Sequence, residues 1–263
     1  MKITDTHAHL YMNEFQKDYK LVIKKSLSQG IHRILLPSLN KNSIIKILKL
    51  KKNFPTICFP MIGLHPNYIN SDNLKIELNN IMNCIEKHYI ISIGEIGIDL
   101  HLSKKFFFEQ KYAFQIQIKW AKEHNIPIVI HCRNAFNYVF DILSKENNPN
   151  LKGVFHCFNG TLEQAKKIVD LGMKLGIGGI VTFKKNNLVP FLHKIKLNNI
   201  LLETDSPYLS PHPLRGKRNN PSNLRIILKV LSKIYSLSEE KMAITIEKNV
   251  NELFFDNSKI KSS

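Results

Sequence analysis

The sequence predicts an α/β fold in which eight parallel strands close into a (β/α)8 barrel, also called a TIM barrel. Short apolar runs alternate with segments of helical periodicity, a pattern typical of a parallel sheet covered by helices. The chain has 263 residues, and α/β barrels commonly use about 200 to 250 residues as one domain. We therefore expect a single barrel domain over residues 1–263.

Eight apolar runs are candidate strands. In chain order they are Ile3–His7, Arg33–Pro37, Ile57–Gly63, Ile90–Glu95, Pro127–His131, Gly153–His156, Met173–Ile180 and Asn199–Glu203. The run LGIGGIV lacks the residues of a phosphate-binding loop, so we interpret it as the seventh strand. Strands this continuously apolar are expected to be buried on both faces.

The segments between these runs have the periodicity of amphipathic helices. The clearest is Lys104–His124, in which five large apolar residues, Phe107, Tyr112, Phe114, Ile118 and Trp120, fall near one face. The chain from about residue 221 onward predicts one or two further helices, with SLSEEKM as a capped helix start.

Composition excludes several classes of protein. Hydrophobic residues make up 43% of the chain and charged residues 22%, which is typical of globular proteins. The sequence has neither an apolar run of 18 residues nor a basic-then-apolar leader, so we expect a cytoplasmic protein without membrane association. The scattered cysteines argue against disulfides and are expected to be buried packing residues; they are Cys58, Cys84, Cys132 and Cys157.

The net charge of +17 is the one unusual feature of the composition. Such an excess favours polyanionic partners, for example nucleic acid or phosphorylated substrates. AT-biased coding would also enrich Lys, Ile and Asn together without any selection for binding, and the charge alone does not separate these explanations.

Acid and imidazole groups lie where the predicted strands end. They are His7, His9, Glu95, His131, His156 and Asp205. Enzymes with this barrel build their sites at the carboxyl ends of the strands. A hydrogen-bonded histidine pair would explain His7 and His9 alone, but a divalent cation neutralises the whole set most simply. The sequence therefore predicts a site for one or two divalent metal ions.

Six motifs resemble the TatD family of metal-dependent hydrolases, a branch of the amidohydrolase-like barrels. In family order, and over essentially the whole chain, they are DTHAHL, GLHP, GEIGID, IHCR, FHCFNGT and ETDSPYLSPHPLRGKRNNP. The resemblance implies that one metal is bound by His7, His9, Glu95 and Asp205, and that Glu95 bridges to a second metal bound by His131 and His156. The metal itself stays open among Mg, Mn and Zn.

Further roles follow from the chemistry of nearby side chains. The predicted catalytic residues are Asp205, Glu95 and His65. Asp205 is suited to accept a proton from water as well as to bind metal. Glu203 is expected to contact a metal ligand from behind. His65 is positioned to touch the scissile phosphate or the leaving oxygen, with a structural hydrogen bond as the alternative.

Four basic residues are candidate phosphate contacts. Arg133 carries a guanidinium that suits phosphate oxygens, and RGKRNNP supplies Arg215, Lys217 and Arg218. A surface ion pair or a solvated basic loop would give the same pattern. The sequence departs from the family pattern at Asn67, which follows His65 and Pro66, and at Asn134, which follows Arg133.

The resemblance implies a divalent-metal-dependent deoxyribonuclease that removes nucleotides from 3′ ends of single strands or acts at damaged sites. Two alternatives use the same two-metal site: a D-aminoacyl-tRNA deacylase and a small-molecule amidohydrolase. A non-catalytic nucleic-acid-binding module is disfavoured by the intact ligand set. We expect a nucleic acid substrate, DNA rather than RNA, and a monomer.

Overall fold

The computed structural model describes residues 1–146 and 150–256, and it contains eight parallel strands that pair in chain order. The strands are β1 Ile3–Asp5, β2 Ile31–Pro37, β3 Cys58–Ile62, β4 Ser92–Asp99, β5 Ile128–Arg133, β6 Gly153–Phe155, β7 Lys174–Ile177 and β8 Ile200–Leu202. All eight predicted strands are present, so the prediction of a (β/α)8 barrel is confirmed.

The barrel closes through backbone hydrogen bonds between the segments around the carboxyl ends of β1 and β8. The N–H of Thr6 donates to the carbonyl of Leu202 at 3.1 Å, and the N–H of Asp205 donates to the carbonyl of His7 at 2.9 Å. Ala8 and Ser206 form a parallel bridge further along. This closure brings the loop after the first strand against the loop after the last.

Helices cover the outside of the barrel. They are α1 Tyr19–Ser28, α2 Lys41–Asn53, α3 Leu74–Lys87, α4 Phe107–His124, α5 Phe136–Glu146, α6 Leu162–Asp170, α7 Leu224–Ile234 and α8 Glu239–Val250. The link between β7 and β8 is instead made of 3-10 turns, at Gly179–Thr182, Leu192–Lys194 and Leu197–Asn199. Pro190 and the Asn186-Asn187 pair in this link are poor helix formers.

The apolar faces of strands and helices form one core. Every residue of β4 is buried, as expected for a strand with the barrel interior on one side and helices on the other. In α7, the buried residues Leu224, Ile227, Leu228 and Leu231 follow helical spacing. The predicted capped start at SLSEEKM is also present, because the hydroxyl of Ser238 accepts a hydrogen bond from the N–H of Lys241 at 3.2 Å.

Seven of the eight predicted strand ends differ from the observed ones by one to four residues, and β5 continues two residues beyond its predicted end at His131. β1 ends at Asp5 and β7 at Ile177, short of the predicted His7 and Ile180, whereas β4 continues four residues beyond the predicted end at Glu95. His7 and His9 therefore do not share a strand face, and their common direction comes from the loop. The extension of β4 adds Asp99 to the strand that carries Glu95.

Some other expectations are only partly tested. All four cysteines are free, but Cys58 alone is fully buried, since the other three are partly exposed. None of the helices in residues 1–146 and 150–256 is long and apolar enough to cross a membrane. A single domain over residues 1–263 stays a prediction, and its last seven residues lie outside the described part of the chain.

Candidate metal centre

The six predicted ligands converge at the carboxyl end of the barrel. Five are buried, namely His7, His9, Glu95, His156 and Asp205, and the side chain of His131 is 14% exposed. They come from five parts of the chain: His7 and His9 follow β1, Glu95 and His131 lie within β4 and β5, and His156 and Asp205 follow β6 and β8. Barrel closure rather than local sequence brings them together.

Glu95 lies at the middle of this cluster, and its two carboxylate oxygens face different histidines. Oε2 is 3.2 Å from Nε2 of His7 and 3.7 Å from Nε2 of His9. Oε1 is 2.7 Å from Nδ1 of His131 and 2.9 Å from Nε2 of His156. The carboxylate thus joins two groups of nitrogen donors, one on each oxygen.

Asp205 belongs to the group on Oε2. Its Oδ1 lies 3.3 Å from Nε2 of His9 and 3.8 Å from Nε2 of His7, and these two nitrogens are 3.3 Å apart. Its backbone has φ of 54°, a left-handed conformation that aspartate tolerates better than most residues. The side chain is held by the loop contact with His7 described above.

The donor separations fit a divalent cation. Metal–ligand bonds of about 2.0 to 2.2 Å at tetrahedral or octahedral angles put neighbouring ligand atoms about 2.8 to 3.6 Å apart. In the group of His7, His9, Glu95 and Asp205, three separations of 3.2 to 3.3 Å fall in this range, and two more, of 3.7 and 3.8 Å, are slightly longer. Imidazole nitrogens with carboxylate oxygens are the donor set of many divalent metal sites.

The tautomer of His9 is set by Tyr11. The hydroxyl of Tyr11 donates to the carbonyl of Pro37 at 2.8 Å, so it accepts a hydrogen bond from Nδ1 of His9 at 2.7 Å. With the proton on Nδ1, the neutral ring directs the lone pair of Nε2 toward Glu95 and Asp205. This orientation is the one a metal ligand requires.

The carboxylates of Asp99 and Glu203 contact the ring nitrogens of His131 and His156 that point away from Glu95. Asp99 Oδ2 lies 2.9 Å from Nε2 of His131, and Glu203 Oε1 lies 3.4 Å from Nδ1 of His156. A carboxylate on the far nitrogen fixes the ring and makes the near nitrogen a better ligand. Nδ1 of His156 and Oε2 of Glu203 have no hydrogen-bond partner within the described residues. A Cβ at Gly176 would collide with the Glu203 carboxylate, so only glycine leaves it this space.

The electrostatics of the cluster favour ionised carboxylates. Burial works against the charge of Glu95, but His156, His65 and His7 outweigh it and hold the pKa of Glu95 well below its usual range. Burial likewise opposes ionisation of Asp205, but the contact with His9 and the nearby rings of His156 and His7 outweigh it and lower the pKa of Asp205. Buried anions of this kind require positive charge, which a divalent cation supplies.

His65 differs from the other histidines. Its Nδ1 accepts a hydrogen bond from the N–H of Asn67 at 3.0 Å, so the neutral ring carries its proton on Nε2, 3.4 Å from Oε1 of Glu95. Burial lowers the pKa of His65 to about 4, mainly because the charged ring would lose its hydration. His65 therefore presents a neutral N–H donor to the centre, and it also makes the structural hydrogen bond considered as the alternative.

The predicted basic contacts lie further out. Arg133 is exposed, and its guanidinium makes no hydrogen bond or ion pair within the described residues. Arg215 stacks on the ring of Phe183 at 3.8 Å, and Lys217 is exposed. Arg218 is paired with Asp18 through two hydrogen bonds of 3.0 and 2.6 Å. Their contact with substrate stays a prediction.

Sequence reasoning missed three residues that organise the centre: Asp5, Tyr11 and Asp99. Asp5 accepts hydrogen bonds from the N–H of His7 at 3.2 Å and of Thr204 at 3.0 Å, linking the two closing loops. Burial raises the pKa of Asp5 to about 8 in spite of these hydrogen bonds. Asp99 was within the GEIGID motif, but the strand was predicted to end before it.

The cysteines beside the cluster are not reactive groups. Burial raises the pKa of Cys132 to about 12 and that of Cys157 well above its usual value. Both thiols therefore stay protonated at neutral pH, and neither belongs to a potential metal-binding group among the described residues.

A family model described as "TatD related DNase" matches residues 4–255. The chain belongs to the TatD-related DNase family. It is 33% identical over 253 residues to "Uncharacterized metal-dependent hydrolase YabD" of Bacillus subtilis (strain 168), over 95% of this chain and 98% of that protein. It is 30% identical over 257 residues to "3'-5' ssDNA/RNA exonuclease TatD" of Pantoea vagans (strain C9-1), over 95% of this chain and 98% of that protein.

The fold of this TatD-related protein is shared by a solved relative. The crystal structure of YjjV, a TatD homologue from Escherichia coli K12, superposes with a TM-score of 0.89 at 27% identity, over 96% of this chain and 97% of that chain. The chain is thus a metal-dependent hydrolase with a TIM barrel of the predicted type. Its cluster of histidines and carboxylates fits divalent metal binding.

Proposed function

We propose that the protein is a deoxyribonuclease that uses two divalent cations to cleave phosphodiester bonds. One cation would be held by His7, His9, Glu95 and Asp205, and the other by Glu95, His131 and His156. The observation that carries this proposal is the division of Glu95, whose Oε2 faces one pair of histidines and whose Oε1 faces another. A carboxylate that bridges two cations needs this arrangement.

Two divalent cations in such a site polarise a water and stabilise the charge that develops on phosphoryl oxygens. Asp205 accepts the proton of the attacking water. In support, Asp205 Oδ2 has no protein hydrogen bond within the described residues, and the side chain is 12% exposed. His65 donates its Nε2–H to an oxygen of the scissile phosphate or the leaving group, and Arg133 contacts a neighbouring phosphate.

The preferred substrate is single-stranded DNA, cleaved from its 3′ end. The name of the Pantoea relative, a 3'-5' ssDNA/RNA exonuclease, supports nucleic acid as the substrate class, and so does the net charge of +17. The rim also stays open, since Tyr68 and Tyr208 beside the centre are 42% and 48% exposed. A small-molecule amidohydrolase would be expected to close this mouth with its loops.

The test is a panel of end-labelled DNA and RNA single strands, duplexes, abasic duplexes and D-aminoacyl-tRNA, each incubated with Mg, Mn or Zn. We expect stepwise shortening of single-stranded DNA from the 3′ end. Chelation should abolish it without unfolding the protein, because the apolar core does not depend on metal; circular dichroism serves as the control. Deacylation without strand cleavage, or no cleavage with any metal, would contradict the proposal.

A further inference from the structure

A cavity of about 470 Å³ opens beside the metal centre, between the segments that follow β5 and β6. His156 forms part of its wall, and Nε2 of the same ring lies 2.9 Å from Oε1 of Glu95. The volume falls within the range of about 300 to 1,000 Å³ typical of small-ligand sites. A group bound in this cavity would be a direct neighbour of the reacting phosphate.

Aromatic rings form much of the cavity wall. Phe155 and Phe158 are buried, and Phe136 packs against Phe155 with ring centroids 6.4 Å apart. Tyr138 lies at the rim and is 51% exposed. Phe136 and Tyr138 keep accessible surface, so these two rings offer flat apolar faces to a flat ligand.

Three asparagines with unused amides stand around the same cavity. Asn137, Asn159 and Asn187 line it, and their side chains make no hydrogen bond within the described residues. The neighbouring Asn186 is different, since its amide donates to Phe183 and accepts from Leu188 and Val189. The loop is therefore fixed by one asparagine, which leaves the next available for a ligand.

The cavity lacks the basic side chains that favour a phosphate group as ligand. Among the described residues, its lining has no Lys, Arg, Asp or Glu, and His156 is its only imidazole. Each free amide offers both a donor and an acceptor, the combination with which Asn recognises base edges. A neutral planar ring that carries donors and acceptors matches both the amides and the aromatic wall.

We propose that this cavity binds one nucleobase of the nucleotide adjacent to the scissile phosphate. The proposal rests on the function proposed above, and it adds a subsite that grips the base while the metal centre holds the phosphate. Stacking on aromatic rings accepts any base. Because a base must leave its pair to enter the cavity, the subsite favours unpaired over paired ends.

Binding can be measured without cleavage. A single strand with 2-aminopurine at its 3′-terminal or penultimate position is titrated with protein in EDTA, and quenching of its fluorescence reports stacking of that base. We expect quenching at one of the two positions, with affinity weakened roughly 3- to 10-fold in an Asn159→Ala, Asn187→Ala variant. Asn79→Ala, an exposed asparagine on α3, is the matched control. Absence of quenching at both positions overturns the proposal.

Cleavage supplies an independent readout. Replacing the nucleotide at the same position by an abasic one should raise KM roughly 5- to 100-fold for the wild-type protein. The double asparagine variant should lose affinity for the normal strand but not for the abasic strand. Equal KM values for both strands would overturn the base subsite while leaving the nuclease function intact. Failure to cleave any strand would instead contradict the function, and the quenching assay would still test the cavity.

Discussion

The carboxylate of Asp99 and the imidazole of His131 are joined by a contact of 2.9 Å between Oδ2 and Nε2, on the edge of the ring opposite Glu95. Asp99 lies on β4 and His131 on β5, and these two strands pair with Asp99 opposite Arg133. Gly97, between Glu95 and Asp99, has φ of 144°, and a Cβ there would collide with the carbonyl of His131. The two strands therefore approach closely where the ring is held.

Asp99→Asn should weaken metal affinity about 10- to 100-fold, because the ring loses the carboxylate that orients it. Titration of the metal-free protein with Mn or Zn measures this affinity, and Asp72→Asn, an exposed aspartate, is the control. Thermal unfolding checks that the variant is folded, since Asp99 also accepts from Asn67 and His101. Unchanged affinity would remove Asp99 from the support of the centre.

Glu95→Gln should release both cations, because one carboxylate serves both groups of histidines. His156→Ala should release only one, since its Nε2 contacts Oε1, the oxygen that also faces His131. Metal counting on the purified variants compares the two changes directly. Equal losses from both variants would indicate a single cation, and near-normal occupancy in Glu95→Gln would exclude the bridging role.

Asp205→Asn should lower turnover by at least ~10² with metal in excess, because help from a general base is typically worth ~10² to 10⁴. Excess metal separates this loss from weaker metal binding, and single-turnover kinetics measure the chemical step. A wild-type rate at saturating metal would show that Asp205 does not accept the proton.

The basic loop gives a test of phosphate contacts. Arg215→Ala with Lys217→Ala should reduce nucleic acid affinity and make its dependence on salt shallower. With fewer phosphate contacts, binding releases fewer counterions from the nucleic acid. Turnover at saturation should persist. Equilibrium binding between low and moderate salt measures the slope, and an unchanged slope would show that the loop is only solvated.

Arg218 requires a separate test because it is paired with Asp18. If Arg218 contacts phosphate, Asp18→Asn frees it and strengthens binding, whereas Arg218→Ala weakens binding. If Arg218 only fastens its loop to the segment before α1, both changes leave the salt slope unaltered and lower thermal stability, Arg218→Ala more so because Arg218 also donates to the carbonyl of Glu14 and stacks on Phe15. Opposite effects of the two substitutions on binding affinity would show that Arg218 contacts phosphate.

A pH-dependent contribution to stability is expected from Glu247, far from the metal centre. Glu247 accepts hydrogen bonds from Thr4 at 3.0 Å and His32 at 2.8 Å, and it pairs with Arg33. Burial opposes its ionisation, but His32 and Arg33 outweigh burial and lower its pKa. A lowered pKa stabilises the fold fully above the unfolded pKa of about 4.3, and this contribution is lost as pH falls through the folded value.

Glu247→Gln should therefore reduce the free energy of unfolding by about 1 to 3 kcal/mol at pH 7, with the difference shrinking below about pH 4.3. Urea unfolding at pH 7 and at a pH below about 4.3 measures the difference in the free energy of unfolding. Glu252→Gln, whose side chain is 49% exposed, should cost less than about 0.5 kcal/mol. A difference for Glu247→Gln that is constant with pH would show that its charge is not the cause.

The sequence by itself determined the eight strands and the six candidate ligands. Apolar runs predict buried strands, and the short motifs contain the residue types that bind metal. The tertiary structure decided which atoms meet. His7 and His9 lie beyond β1 and converge only because their loop is bonded to Leu35 and Ser206. Arg218 has a partner 200 residues away, and the division of Glu95 between two groups of histidines depends on closure of the barrel. Local periodicity carries no record of such long-range pairings, since they form only when distant segments pack.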